Sequence, residues 1–89
     1  MIHELKILPQ YYQAVADGSK TFEVRNNDRG FQKGDEVVLK EWDPTEMHYG
    51  TSGYTDSPNL EFKIGYVLPI DAERVVFSLI KKEYNENKR

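Results

Sequence analysis

A chain of 89 residues, 38% hydrophobic and 30% charged, has room for one compact core and is too apolar to be disordered. The absence of cysteine excludes disulfides, thiolate metal ligands and cysteine nucleophiles. A net charge of -3 argues against a polycation that coats nucleic acid. No apolar run reaches the length of a membrane span, and the first residues lack a signal-peptide pattern, so we expect a cytoplasmic protein.

Charge is distributed unevenly along the sequence. Between positions 35 and 61 many acidic residues accompany a single basic residue, Lys40, and this segment would repel phosphate. Basic residues concentrate in two other segments, the first with Lys20, Arg25, Arg29 and Lys33 and the second with Lys81, Lys82, Lys88 and Arg89. If these two groups meet in space, they form a basic site on an acidic body.

The first predicted elements are a strand and a short helix. From His3 to Leu8, polar and apolar residues alternate, which indicates a strand buried on one face. Pro9 suits the first turn of a helix, and Gly18 suits its C-terminal end. Helical spacing predicts a buried stripe made of Leu8, Tyr12, Val15 and Ala16.

A second strand is predicted directly after the helix. Residues 21–25 alternate, with Phe22 and Val24 on one face and polar side chains on the other, namely Thr21, Glu23 and Arg25. The segment from Asn26 to Gly34 is rich in Asn, Asp and Gly, a composition typical of a loop.

Three further strands complete the prediction: Glu36 to Trp42, Leu60 to Leu68, and Arg74 to Lys82. The middle strand alternates cleanly, which predicts one shared face for Leu60, Phe62, Ile64, Tyr66 and Leu68. Between the first two, residues 43–59 are numerous enough for a functional loop. Five strands with one short helix after the first strand predict the α+β class, as a small, partly open β-barrel. Its core would include Val37, Leu39, Val75, Phe77 and Leu79.

The stretch from Gly18 to Arg25, G-S-K-T-F-E-V-R, is the candidate site. Glu23 and Arg25 share a strand face, so an ion pair would hold the guanidinium in a fixed orientation for binding anions. Lys20 has the opposite parity and must lie at the strand entrance, where the chain still turns, to reach the same cleft. The alternative is an ordinary solvated strand face with an ion pair worth about 0.2–1 kcal/mol.

The following loop extends the candidate site. Arg29 offers a phosphate contact, while Asn27 and Asp28 offer donors and acceptors for base edges. The alternative is that Asn27 and Asp28 bind the backbone of their own loop.

Three aromatic side chains are candidates for stacking on bases: Trp42, Tyr49 and Tyr54. The alternative for Trp42 is that it packs over one end of the barrel. Metal chemistry has no support in the sequence, because His3 and His48 lie far apart with no ligand spacing, and no metal or other cofactor is predicted. The serine residues lack a nucleophile motif, and no glycine-rich phosphate loop joins a strand to a helix.

The candidate site resembles a known family signature. Gly18, Lys20, Glu23 and Arg25 match the G-x-K-x-x-E-x-R pattern of the ASCH domain, which belongs to the PUA-like superfamily of small β-barrels associated with RNA and nucleotides. Four further segments are similar to the DUF3850 branch, found in bacteria and their phages: H-E-L-K-I-L-P from His3, N-D-R-G-F from Asn27, G-D from Gly34 and K-E-W-D from Lys40. The resemblance implies one ASCH-like domain over residues 1–83, and the sequence pattern beyond it predicts a short frayed tail over 84–89.

The resemblance also implies a cleft in which Lys20, Glu23 and Arg25 contact a phosphate or a base edge. Some relatives resemble amidohydrolases of modified cytidine that use the signature lysine, a later glutamate, and a threonine where this chain has Glu23. We therefore expect an RNA- or nucleotide-binding domain without assigned catalytic residues. One alternative is a nucleoside or RNA hydrolase that uses Lys20 and Glu23 as acid and base. A second is an interaction module that binds a protein partner through the acidic segment; a membrane partner is not expected.

Overall fold

A computed structural model describes residues 1–46 and 52–82. The elements follow in the order β1 (Ile2–Ile7), α1 (Pro9–Ala16), β2 (Phe22–Asn26), β3 (Glu36–Glu41), β4 (Leu60–Pro69) and β5 (Arg74–Lys81), with a short 3-10 turn at Pro44–Glu46. Within the described ranges, no helix is long and apolar enough to cross a bilayer.

All five strands form one sheet in the order β1-β3-β4-β5-β2. β1 runs parallel to β3, and every other neighbouring pair is antiparallel. The strands β1 and β2 are therefore the two edges of the sheet, yet the Arg25 side chain on β2 reaches the Lys6 carbonyl on β1 at 2.8 Å. The sheet must curl to bring its edges that close, and it forms a half-barrel with a gap between β1 and β2.

The core fills the concave side of this curled sheet. Its most deeply buried side chains come from the three central strands: Val37, Leu39, Ile64 and Phe77. The predicted contribution of Val37 and Leu39 from one strand, and of Val75, Phe77 and Leu79 from another, is confirmed. The coarse prediction of a mostly β, barrel-like domain with one short helix after the first strand agrees with this architecture.

The helix α1 packs less of its surface than its sequence predicts. Pro9 stands in its first turn, as expected. Val15 is its buried residue, Leu8 and Tyr12 are half-buried, and Ala16 is exposed, so the prediction for Ala16 is wrong. The 8-residue helix meets the core through Val15 and Tyr12, which are three residues apart and so span about one turn.

The strand β4 contains an irregularity that the alternation of its sequence hides. Ile64 pairs with Leu79 and Val67 pairs with Phe77, so three steps along β4 oppose two steps along β5. This β-bulge reverses the parity of the strand, because one extra residue turns each later side chain to the other face. Val67 consequently packs on the core, and the predicted shared face fails for Tyr66 and Leu68, which are 65% and 50% exposed.

The strand β2 directs its polar face inward. Glu23 is buried at 4% exposure, whereas its neighbours Phe22 and Val24 are 44% and 42% exposed. The reading of this face as an ordinary solvated surface is therefore wrong for Glu23.

Candidate functional site

The gap between the two edge strands holds a cleft of about 550 Å³. Its walls are formed by the end of β1, the first turn of α1, and the segment that leads into and along β2. The side chains that give it chemical character are Lys6, Tyr11, Lys20, Phe22, Glu23 and Arg25.

A tight turn after α1 sets the position of Lys20. Gly18 adopts a left-handed conformation with φ of 87°, which glycine allows without steric cost. The Ser19 hydroxyl and amide both donate to the Asp17 carboxylate, and these bonds hold the pKa of Asp17 below its ordinary value. The Lys20 amide then donates to the Ala14 carbonyl at 2.9 Å. Lys20 thus stands just before β2, at the strand entrance, where the parity argument required it.

Glu23 is the centre of a buried three-residue ion cluster. Its Oε2 accepts from Lys20 Nζ at 2.5 Å, and its Oε1 accepts from Arg25 Nε at 2.9 Å. Both cations retain partial solvent exposure, while the carboxylate does not. Two positive charges therefore share one negative charge, and the cluster presents its excess positive charge to the cleft.

The same two cations also bind backbone at the sheet edges. Lys20 Nζ donates to the Phe22 carbonyl at 2.6 Å, on the edge of β2. Arg25 Nη2 donates to the Lys6 carbonyl at 2.8 Å, on the edge of β1. These contacts occupy carbonyls that edge strands otherwise leave to solvent. The cluster thus has a structural role, closing the gap of the half-barrel, beside any role in binding.

Lys6 is a member of this cleft that sequence reasoning missed. Its ammonium lies 4.4 Å from the centroid of the Trp42 ring and 6.0 Å from that of Tyr54. In the described part of the chain Lys6 forms no ion pair, so its charge is available to a ligand. Alternation in β1 marks Lys6 only as an outward residue. The available signal was its place inside the H-E-L-K-I-L-P segment.

Tyr11 is a second residue that the prediction did not include. It lies on α1, is 48% exposed, and its ring centroid is 5.7 Å from Lys20 Nζ. Phe22 also lies near the same ammonium, with its ring centroid at 5.0 Å. No local sequence pattern distinguishes Tyr11 from an ordinary exposed helix residue.

The loop after β2 stays outside this cleft. Asn27 and Asp28 line a separate cavity of about 390 Å³ near Glu73. Asn27 Oδ1 accepts from the Phe31 amide at 3.1 Å, which is the loop-capping role weighed as the alternative. Arg29 is exposed in the same loop and does not line the cationic cleft.

The predicted aromatic residues are only partly assembled. Trp42 and Tyr54 face each other through an isolated antiparallel bridge, and Trp42 Nε1 donates to the Ser52 carbonyl at 3.1 Å. Trp42 is half-buried and Tyr54 is 48% exposed. Tyr49 lies outside the described residues, as does His48.

The described part of the second basic segment, Lys81 and Lys82, does not line the cleft that holds Lys20 and Arg25. Lys81 and Lys82 line a different cleft, at the far end of β5. Lys82 Nζ binds Glu36 at 3.1 Å and Glu61 at 3.2 Å, and these hydrogen bonds raise its pKa above the ordinary lysine value. Lys88 and Arg89 lie outside the described residues, together with the predicted tail.

Several carboxylates of the acidic segment are engaged within the fold. Glu41 Oε1 accepts from the hydroxyls of Thr55 at 2.7 Å and Ser57 at 2.5 Å. Asp35 accepts from His3 Nε2 at 2.8 Å, and this hydrogen bond lowers the pKa of Asp35. Among the residues that the structure describes, no three His, Asp or Glu side chains gather as a metal site would need.

The fold and the cleft together make this chain a small curled-sheet domain, in which a buried carboxylate and two cations lie at the gap between the sheet edges. The chain matches the family model described as "Domain of unknown function (DUF3850)" over residues 2–79, and it belongs to that family. The predicted resemblance to DUF3850 is thereby confirmed.

The chain is also similar to a protein of Escherichia phage P2 described as "Uncharacterized 12.9 kDa protein in GpA 3'region". The two are 42% identical over 41 residues, which cover 46% of this chain and 38% of the phage protein. The similarity thus spans well under half of the phage protein's length.

Proposed function

We propose that this protein binds single-stranded RNA or nucleotides through the cleft between β1 and β2, without catalysing a reaction. The observation that carries the proposal is the convergence of Lys6, Lys20 and Arg25 on one concave surface where Glu23 supplies the only carboxylate among the lining residues. Three cations against one anion, at a site with aromatic walls, suit the phosphate and base of a nucleotide.

The buried glutamate supports this proposal through its effect on Arg25. A guanidinium bound to a carboxylate and to a strand carbonyl has few orientations left, so little entropy is lost when it also binds a phosphate oxygen. Lys6 adds a mobile charge at the other wall. Such a site binds the phosphate backbone and distinguishes bases only weakly.

A finer classification belongs to the same proposal. We assign the fold to the PUA-like superfamily and the motif to the ASCH signature. The support is that Lys20, Glu23 and Arg25 lie together at one cleft and that Gly18 makes the turn that positions Lys20.

Two alternatives remain for the same chain. A nucleoside or RNA hydrolase would use Lys20 and Glu23 as acid and base, but both Glu23 oxygens already accept hydrogen bonds from cations, an arrangement that favours a fixed carboxylate over a proton carrier. An acidic interaction surface has weaker support, because Glu36 and Glu61 are paired with Lys82. Product formation from a panel of RNAs and modified nucleosides would favour the hydrolase.

The test of RNA binding uses Lys6→Ala. Lys6 is the best choice, because Lys20 and Arg25 neutralise a buried carboxylate and their removal would also affect folding. We expect Lys6→Ala to weaken binding of a single-stranded RNA hexamer about fivefold at low salt. The slope of log K against log salt should fall by about 0.7, the contribution of one phosphate contact on a single strand.

The matched control is Lys63→Ala. Lys63 is an exposed lysine on β4 that lies outside the cleft. Its replacement by alanine removes one positive charge, as Lys6→Ala does. The affinity of Lys63→Ala for the RNA hexamer, and the salt slope of that affinity, should stay within error of the wild type. If both variants lost the same RNA affinity, the effect would come from net charge and not from the cleft. If Lys6→Ala lost no affinity, the cleft would be rejected as the RNA site.

A further inference from the structure

Both lysines of the cleft lie over aromatic rings, at opposite walls. Lys6 Nζ lies 4.4 Å from the Trp42 centroid. Lys20 Nζ lies 5.0 Å from the Phe22 centroid and 5.7 Å from that of Tyr11. Each wall therefore offers one ammonium and at least one ring face that the ammonium covers in the free protein.

The strand register places Trp42 beside the cleft. Lys6 pairs with Lys40 across β1 and β3, and Trp42 follows two residues later on the same face. The Trp42 amide donates to the carbonyl of Ile7, which itself lines the cleft. Trp42 is not itself a lining residue of the cleft, but its indole ring lies directly behind the Lys6 ammonium, which is one, and Tyr54 is its cross-strand neighbour.

The β2 wall carries the second group of rings. Phe22 is 44% exposed and Tyr11 is 48% exposed. A phenylalanine with that exposure on a strand keeps part of its ring surface free for stacking beside the ammonium. The two walls are thus alike in chemistry, and the fixed Arg25, which also lines the cleft, reaches from β2 to the Lys6 carbonyl on β1.

We infer that the ligand unit of this cleft is a dinucleotide step of single-stranded RNA, with its phosphate bound by the cations and one base on each wall, and that Trp42 is the stacking surface at the β1 wall. This inference rests on the proposed function. In the complex the Lys6 ammonium moves from the indole ring to the phosphate, and a base takes its place over Trp42.

The inference predicts that the cleft binds ApA more tightly than adenosine monophosphate. A simple anion site would bind these two probes in the opposite order of affinity. Adenosine monophosphate carries close to two negative charges at pH 7 and has one base. The dinucleoside monophosphate ApA carries one negative charge and has two bases. A site that reads only charge prefers the mononucleotide, whereas a site with two stacking walls prefers ApA.

The experiment measures the affinities of ApA, adenosine monophosphate and inorganic phosphate by calorimetry. We expect ApA to bind at least about fivefold more tightly than the mononucleotide, since one further stacked base contributes that factor or more. Trp42 is the single tryptophan of the chain, so its fluorescence reports stacking directly, and ApA should quench it more strongly than phosphate does.

Variants at the wall complete the test. Trp42→Leu should abolish the preference for ApA, because only the β2 wall is then left to stack a base, and Trp42→Phe should retain most of the preference because a ring remains. The control is Tyr66→Leu, which removes an aromatic residue that is 65% exposed and lies outside the cleft, and it should change neither affinity. Thermal melts establish that each variant is folded.

The outcomes distinguish this inference from the proposed function, nucleotide and RNA binding, on which it rests. Equal affinity for ApA and the mononucleotide, or an ApA preference that survives in Trp42→Leu, overturns the two-wall site and leaves nucleotide binding intact. Absence of binding for every probe and for the RNA hexamer overturns both.

Discussion

A single buried carboxylate explains why the G-x-K-x-x-E-x-R stretch has its spacing. Glu23 points into the fold, and Arg25, two residues along the same strand, shares that face and reaches one of its oxygens. Lys20, three residues earlier, comes from the turn and reaches the other oxygen. Phe22, which stands between Lys20 and Glu23 in the sequence, faces outward. The spacing therefore brings both cations to the buried carboxylate and leaves the aromatic ring at the surface.

We predict that Glu23→Gln strongly destabilises the fold. The amide carries no negative charge, and its NH₂ group would face one of the two cations, so Lys20 and Arg25 would be left without the counter-ion that they share. We expect a loss of about 3 kcal/mol in the free energy of unfolding, at the lower end for buried ion pairs because both cations keep contact with water. Urea unfolding at neutral pH measures it.

The control for this variant is Glu4→Gln. Glu4 pairs with Lys40 at 3.0 Å, but its side chain is 62% exposed, and an exposed pair contributes less than about 1 kcal/mol. Similar losses in the two variants would contradict the special role of the Glu23 cluster.

The sequence predicted some of the residues that line this candidate cleft, but not all of them. Local parity and the family signature together pointed to Lys20, Glu23 and Arg25, since these residues are close in sequence. Lys6 and Tyr11 come from a separate strand and from the helix, and only the curl of the sheet brings them to the cleft. A pattern within one segment carries no information about how far a sheet will curl.

At the scale of the elements, the alternation in β4 illustrates where sequence patterns fail. Five apolar residues at every second position predicted one continuous face, but the bulge after Ile64 divides the strand into two faces. Gly65 lies in this bulge, where a Cβ atom would come within 2.5 Å of Ile80 Cδ1 and 2.7 Å of Ser78 Oγ. A glycine inside a strand was the available signal for the bulge.

The start of β1 is joined to the start of β3 by a hydrogen bond between His3 and Asp35. His3 is 2% exposed, and its ring also packs on Phe31 at 4.7 Å between centroids. Asp35 accepts from His3 Nε2 and from the Gln32 amide, and the Met1 amino group lies 3.6 Å away. This arrangement fixes the loop before β3 against the parallel edge strand.

We predict that Asp35→Asn makes stability less dependent on acidic pH. The hydrogen bond from His3 lowers the pKa of Asp35 in the folded state below the ordinary value of 3.8. A depressed carboxyl pKa adds stability above the unfolded-state value, and that stability is lost as pH falls through the folded-state pKa. The variant should therefore be less stable by about 1 kcal/mol near pH 6, and the difference should shrink toward pH 2.

Urea midpoints across this pH range test the assignment. The control is Asp56→Asn, which removes an exposed carboxylate from the β3–β4 connection and should differ from the wild type by a small, constant amount. A deficit in Asp35→Asn that stays the same at every pH would place the effect in packing rather than in the ionised hydrogen bond.

At the scale of the whole molecule, the half-barrel depends on how its open side is held. The sheet supplies hydrogen bonds between neighbouring strands from β1 through to β2, but the final gap between those two strands has no ladder. The Arg25 guanidinium spans it by binding Glu23 on β2 and the Lys6 carbonyl on β1. The proposed binding cleft is this same gap, so closure of the fold and formation of the site depend on one side chain.

We predict that Arg25→Lys keeps the positive charge but loses the bridge between the edge strands β1 and β2. An ammonium lacks the forked donors that reach Glu23 and Lys6 together, so the variant should lose about 1–2 kcal/mol of stability with the net charge unchanged. Native-state hydrogen exchange should show faster exchange in β1 and β2 relative to β4, because the edges open locally.

Arg74→Lys is the matched control: Arg74 also binds a carboxylate, Asp71, but the pair is exposed at the tip of the β4–β5 turn and should contribute less than about 1 kcal/mol. If Arg25→Lys raised exchange equally in all strands, or matched Arg74→Lys in stability, the bridge between the sheet edges would not be what holds the half-barrel closed.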